Sequence, residues 1–179
     1  NIEWAEKCQR VWAPYYCLHK LIAGLLDMYV HCSNEEAFAA AKRMAAWCKS
    51  RCAKLSDEDM QRMLNHTEQG GMNEAFANLY GLTGDRQWLD LSRRFVQRRY
   101  VEPLAQREDR LKGEHVNSFI PNIIGTARQY EMTGDELDRR GTALWAAREV
   151  MQKLDIQETI SIELEASAND SILFVCTTD

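Results

Sequence analysis

The chain has 179 residues, of which 45% are hydrophobic and 27% are charged, and its formal net charge is −5. A chain of this length and composition is able to bury a sizeable core, so we expect a folded domain. Charged residues interrupt every apolar run well before the roughly 20 residues that a bilayer-spanning helix needs, and we expect a soluble protein without a membrane partner.

The negative charge is concentrated near the C-terminus. From Asp155 onward there are six acidic residues and no lysine or arginine, so the 154 residues before it carry a charge of about +1 by difference. Nucleic-acid binding requires a clustered basic face, and we therefore expect no nucleic-acid partner. The densest basic run, RRFVQRR at 93–99, is interpreted as the outer face of a helix.

The six cysteines form no CxxC pair and have no regular spacing. Cys48 and Cys52 are four residues apart on one face of a predicted helix, where a metal ion could bridge them. The alternative is that they are small buried thiols in a reducing compartment, which favours a cytoplasmic location. We assign no metal ligands from the sequence.

Three segments can be stacked on their final tyrosines without gaps. HKLIAGLLDMY ends at Tyr29, GGMNEAFANLY at Tyr80 and PNIIGTARQY at Tyr130, so the chain repeats after 51 and then 50 residues. Five positions before each tyrosine is a small residue, which we expect to let another backbone approach closely. These small residues are Gly24, Ala75 and Gly125.

Each tyrosine is followed by a stop and a restart, in the segments HCSN, LTGD and MTGD. A serine or glycine stop followed by an Asx residue is typical of one helix ending and a second helix being capped. The second helices are predicted in AFAAAKRMAAWCKS, RQWLDLSRRFVQRRYV and ELDRRGTALWAAREVMQKL. They carry most of the lysines and arginines, so we expect the first helices to be inner and the second helices to be outer.

The predicted fold is all-α: three helical hairpins of an incomplete (α/α)6 toroid, or of an open helical solenoid, within residues 1–154. Half of a toroid exposes inner apolar surface that missing chain, the tail or a second copy must cover, which makes a homodimer possible. Residues 155–179 do not continue the repeat, and TISIEL and SILFVC there predict a short irregular or β-like tail.

The N-terminal ends of the inner helices are expected to meet at one rim. Amides and imidazoles hydrogen-bond hydroxyl groups, aromatic faces stack on sugar C–H surfaces, and paired glycines let a backbone come close, so this rim suits a carbohydrate. The candidate substrate-binding residues are Trp12, Tyr15, His19, Gln69, Gly70, Gly71, Asn73, Glu74, His115 and Asn117.

These residues also have structural interpretations. The alternative for His19 is a hydrogen-bonded histidine in the protein interior. The alternative for Gly70 and Gly71 is a tight turn that leads into a helix. Asn73 and Glu74 follow in the first turn, where free N–H groups and the helix dipole favour polar side chains. The convergence of three repeats on one rim, rather than any single residue, favours a site.

Three collinear motifs between residues 10 and 145 resemble the β-L-arabinofuranosidase family of glycoside hydrolases. They are VWAPYYCLHKLIAGLLDMY (11–29), GGMNEAFANLYGLTGD (70–85) and GEHVNSFIPNIIGTARQYEMTGD (113–135). The resemblance implies an (α/α)6 catalytic toroid that acts on arabinofuranosides or related glycans. It also implies that His19, the entry at 69–71, His115 and Asn117 face the sugar. Gln69 departs from the family, because many relatives have His or Phe there.

The resemblance also implies a cysteine nucleophile, held by zinc with cysteine and glutamate ligands, and a glutamate acid/base. The expected Glu-Thr-Cys segment is not found: Glu158 and Thr159 are followed by Ile160, and Cys176 stands alone. No catalytic residue or zinc ligand is therefore assigned. We predict part of a sugar pocket without robust turnover. The alternative is a helical-repeat interaction module or dimerising scaffold without catalysis.

Overall fold

The structure is a computed structural model that describes residues 2–9, 11–106, 108 and 110–135. This part of the chain forms eight α-helices and no strand, which confirms the all-α prediction. None of these helices combines the length and apolarity needed to cross a bilayer. The helices are α1 Ile2–Glu6, α2 Pro14–Cys32, α3 Glu35–Cys52, α4 Asp57–His66, α5 Met72–Thr83, α6 Arg86–Arg94, α7 Arg98–Ala105 and α8 Val116–Thr133. The boundary at 154/155 and the tail 155–179 lie outside the described residues.

Three helices, α2, α5 and α8, form the predicted inner row, with α5 between the other two. Helices α5 and α8 run parallel, because a residue further along α5 contacts a residue further along α8. Asn73 near the start of α5 donates to the Asn122 carbonyl at 2.8 Å, and Asn78 one turn later accepts from Arg128 at 2.6 Å. Helix α3 packs on α2 and α6 on α5, as predicted for outer helices.

The hairpin turns follow the predicted stop and restart. Each inner helix ends at a residue in the left-handed region, with φ of 53° at Ser33, 67° at Gly84 and 64° at Gly134. The side chains of Asn34 and Asp85 then accept backbone N–H groups in the first turns of α3 and α6, at 3.0 and 3.2 Å. The outer helix predicted for the third hairpin lies outside the described residues.

The prediction of one continuous outer helix in RQWLDLSRRFVQRRYV is wrong, because the chain breaks at 95–97 between α6 and α7. Distant groups stabilise this break. The Gln97 N–H donates to the side chain of Asn122 at 2.9 Å, and the Gln97 amide donates to the Leu64 carbonyl at 2.7 Å. Leu64 belongs to α4, a helix that the hairpin pattern did not predict.

The close approach predicted at the small residues occurs at Gly125. A Cβ atom there would overlap the amide of Asn73, so glycine is needed where α5 meets α8. At the equivalent Gly24, no described residue outside the backbone of its own helix lies within 4 Å of the position of a Cβ, so the described part of the chain has no close approach there. The group that approaches Gly125 is a side chain and not a backbone.

The main core fills the space between the first two hairpins, and Phe95 from the break between α6 and α7 lies at its centre. Its ring is 5.3 Å from that of Tyr15 on α2 and 5.5 Å from that of Phe76 on α5, measured between centroids. A second cluster, including Tyr100 and Phe119, joins α7 to α8. The break therefore anchors the inner helices whose N-terminal ends form the candidate site.

Candidate functional site

The entries of α2 and α5 are in direct contact. The Glu68 N–H donates to the Trp12 carbonyl at 3.3 Å, just before the two helices begin. At the N-cap of α5, the Gly71 N–H donates to Nδ1 of His19 in α2 at 3.1 Å. The structure thus brings together the leading ends of the first two repeats, as the repeat register predicts.

The imidazole of His19 lies against both glycines. A Cβ atom on Gly70 would lie 2.9 Å from His19 Nδ1 and 3.1 Å from the Tyr16 ring, and Gly70 has a φ of 62°, which side-chain-bearing residues rarely adopt. A Cβ atom on Gly71 would lie 2.9 Å from His19 Nε2. The glycine pair therefore serves as a tight helix entry and as the surface on which the ring rests.

The contact with Gly71 also fixes the protonation of His19. Because Nδ1 accepts a hydrogen bond, the neutral ring carries its proton on Nε2. Burial, followed by the charge of Lys20, lowers the pKa of His19 to about 4. The imidazole is consequently neutral near pH 7, and Nε2–H is a hydrogen-bond donor at the edge of Gly71.

The side chain of Glu74, in the first turn of α5, also lies beside Gly71. Its Oε2 is 3.1 Å from the position that a Cβ on Gly71 would occupy, which is also the point that His19 Nε2 approaches. Burial raises the pKa of Glu74, although the charges of Lys20 and Arg128 oppose the rise. A neutral imidazole donor and a half-buried carboxyl group therefore converge where the missing glycine side chain leaves space.

A second row of polar side chains crosses the inner helices. Asp27, Asn78 and Arg128 each stand two positions before a repeat tyrosine. Arg128 Nε donates to Asn78 Oδ1 at 2.6 Å, and its Nη1 donates to Glu131 Oε2 at 2.6 Å. We did not predict this row, although the repeat register contained the signal. The charges of Asp27, Arg128 and Glu131 all reach Glu74, one turn before Asn78.

Four other predicted site residues have different environments. Tyr15 is fully buried in the core, and Asn73 is fully buried between α5 and α8. The Trp12 side chain is 80% exposed beside the helix entries. Gln69 is fully buried, and neither of its amide atoms has a hydrogen-bond partner among the described residues.

His115 and Asn117 lie exposed at the start of α8. His115 is the N-cap residue, and its Nδ1 accepts the Asn117 N–H at 3.2 Å. Capping thus accounts for a polar residue at 115. Within the described part of the chain, no hydrogen bond joins either residue to His19 or to Gly71.

Cys48 and Cys52 do not fit the zinc that the family resemblance implies. Both are fully buried in the main core, and burial raises the pKa of Cys48 to about 12 and that of Cys52 to about 11. Protonated thiols are poor zinc ligands. Among the residues that the structure describes, no three His, Cys, Asp or Glu side chains converge on a common point.

Comparison with known families accords with this helical architecture. The model of the β-L-arabinofuranosidase GH127 catalytic domain matches residues 2–157, and the chain therefore belongs to this family of glycoside hydrolases. The predicted resemblance is confirmed. No curated protein matches the chain.

Proposed function

We propose that this member of the β-L-arabinofuranosidase family carries part of a sugar pocket for arabinofuranoside-type glycosides. The observation that carries the proposal is the convergence of His19 Nε2 and the Glu74 carboxyl group beside Gly71. Both groups are held by the inner helices, and both are less hydrated than surface side chains. A site of this kind recognises hydroxyl groups by direct hydrogen bonds.

The protonation states support recognition of a neutral polyol. His19 offers an N–H donor without a positive charge, because its pKa is lowered to about 4. The Glu74 carboxyl group accepts a hydrogen bond from a hydroxyl when ionised and donates one when protonated. The exposed indole of Trp12 adds an apolar face beside the entry, of the type that stacks on sugar C–H groups.

The family hydrolyses glycosides, but we propose that this chain binds sugar without robust turnover. The sequence has no Glu-Thr-Cys segment, and the two buried thiols of α3 are held protonated by burial. An assay with aryl β-L-arabinofuranosides, with and without added zinc, tests this part of the proposal. We expect no sustained release of the aryl group, and multiple turnovers would contradict the proposal.

Sugar binding is tested separately by calorimetric titration with a non-hydrolysed L-arabinofuranoside. We expect saturable binding that His19→Ala weakens by about tenfold, as for loss of one buried hydrogen bond to a ligand. His31→Ala is the matched control, since His31 is exposed in the last turn of the same helix. Absence of binding, or equal weakening by the two substitutions, would show that the site does not hold sugar.

Exposed apolar side chains on α2 and α8, the two helices at the ends of the inner row, favour a second candidate function: an interaction module that forms a homodimer. Leu21 and Met28 are exposed on α2, and Ile120 and Ile124 are exposed on α8. Exposed apolar side chains that lie close together on a surface are commonly covered by a partner. Light scattering distinguishes the candidates: a scaffold dimerises without any response to arabinofuranoside, whereas a folded monomer would argue against the module.

A further inference from the structure

The basic run at 93–99 lines a cleft between α4, α6 and α7, on a different part of the fold from His19. The cleft has a volume of about 170 Å³. Its lining residues are Asp57, Met60, Gln61, Arg93, Arg94 and Arg98. Three guanidinium groups and one carboxylate give it a positive charge. We propose that this cleft binds a compact oxyanion of the size and charge of inorganic phosphate.

Arg94 is held rigidly at the base of the cleft. Its Nη1 and Nη2 donate to the carbonyls of Cys52 and Leu55, at 2.7 and 2.6 Å, at the end of α3. Its Nε is buried and has no hydrogen-bond partner among the described residues. A guanidinium fixed in this way places its positive charge beside the cleft without a further loss of side-chain entropy.

Asp57 neutralises the cleft only in part. One of its oxygens is 3.7 Å from Arg94 Nε, and the other is 3.9 Å from Arg98 Nη2, so neither contact is a hydrogen bond. The Asp57 side chain is 68% exposed, and water screens its charge. Arg93, by contrast, pairs with Asp135 at 3.0 Å and contributes charge rather than a donor.

The dimensions and chemistry favour a small anion over a sugar. Sites for drug-sized ligands enclose about 300–1,000 Å³, which is well above the volume of this cleft. Guanidinium groups bind oxyanions through charge-assisted hydrogen bonds, which are stronger than bonds between neutral groups. The donor left for a ligand is the guanidinium of Arg98, which is 55% exposed and lies 3.9 Å from Asp57, while Arg94 contributes its charge.

Calorimetric titration with inorganic phosphate tests the proposal, with chloride used to match the ionic strength. We expect saturable binding at one site, weakened about tenfold in Arg98→Gln by the loss of one charge-assisted contact. Arg98 has a side chain 55% exposed, so its replacement should leave the fold intact. Asp57→Asn should strengthen binding, because it removes the competing carboxylate.

Arg86→Gln is the matched control. This substitution changes the net charge by the same amount as Arg98→Gln. Arg86 is exposed and lies at the opposite end of α6, about 12 Å from Arg94 along the helix axis. Phosphate affinity should be unchanged in this variant. Equal weakening by Arg86→Gln and Arg98→Gln would mean that phosphate responds only to net charge and would overturn the proposal. Absence of saturable binding, or weaker binding in Asp57→Asn, would also overturn it.

Discussion

The contact between Asn73 and Gly125 makes Gly125→Ala the sharpest test of the packing between α5 and α8. A Cβ atom at this position would overlap the amide of Asn73, which is fully buried and bonded to the Asn122 carbonyl at 2.8 Å. The amide therefore has to leave its site or the two helices have to separate. Either change disrupts the parallel arrangement of the inner row.

The expected magnitude follows from three opposing effects. Overpacking a buried contact costs about 1–3 kcal/mol, and the lost hydrogen bond of Asn73 adds about 1 kcal/mol. The better helix propensity of alanine returns about 1 kcal/mol. The net loss is about 2 kcal/mol in the free energy of unfolding, which lowers Tm by roughly 4–8 °C for a protein of this size.

Urea denaturation followed by circular dichroism measures this loss, and the repeat supplies a matched control. Gly24 occupies the equivalent position in α2, where no described residue outside the backbone of its own helix comes within 4 Å of a Cβ. Gly24→Ala should therefore stabilise the protein by about 0.5–1 kcal/mol. In an Asn73→Ala background, Gly125→Ala should no longer destabilise. Equal effects of the two glycine substitutions, or an undiminished cost in the double variant, would refute the explanation.

Three further predictions concern pH, thiol reactivity and a buried hydroxyl. The folded-state pKa of His19, about 4, lies below the unfolded value of about 6.5. The neutral imidazole therefore contributes fully to the free energy of unfolding above pH 6.5. This contribution falls by up to about 1.4 kcal/mol per pH unit as the pH decreases towards 4, and His19→Gln should reduce that slope. Alkylation of the native protein should modify exposed Cys17 rapidly and buried Cys48 only on unfolding; equal rates would contradict the burial. Tyr100→Phe removes a 2.7 Å hydrogen bond to Glu114 and should cost about 1–2 kcal/mol in urea denaturation, whereas unchanged stability would show that the bond contributes nothing.

The hairpin turns were predictable because their signals are local. Gly84 followed by Asp85 specifies a left-handed stop and a capped restart within two residues, and the structure has both. The break at 95–97 was not predictable in this way. Its stability depends on Asn122 and Leu64, which are distant in sequence and adjacent only after α4 and α8 have packed.

The candidate site was predictable to the extent that the repeat register defines it. The register placed His19 near Gly71, and it also aligned Asn78 with Arg128, a pair that we overlooked. It did not show which predicted residues belong to the core. Tyr15 and His19 lie on the same buried face of α2. The packing of Phe95 against Tyr15 identifies Tyr15 as a core residue, and this contact is not visible in the sequence.

The hydrogen bonds that Gln97 donates to Asn122 and Leu64 restrict how much the number of residues between α6 and α7 is able to vary. Its backbone N–H and side-chain oxygen bond to Asn122 of α8, and its side-chain nitrogen bonds to Leu64 of α4, so one residue bridges two helices. Inserting or deleting a single residue before it in an otherwise helical segment would rotate it by about 100°. These bonds would then be lost together. Family members that retain this junction should therefore conserve its length.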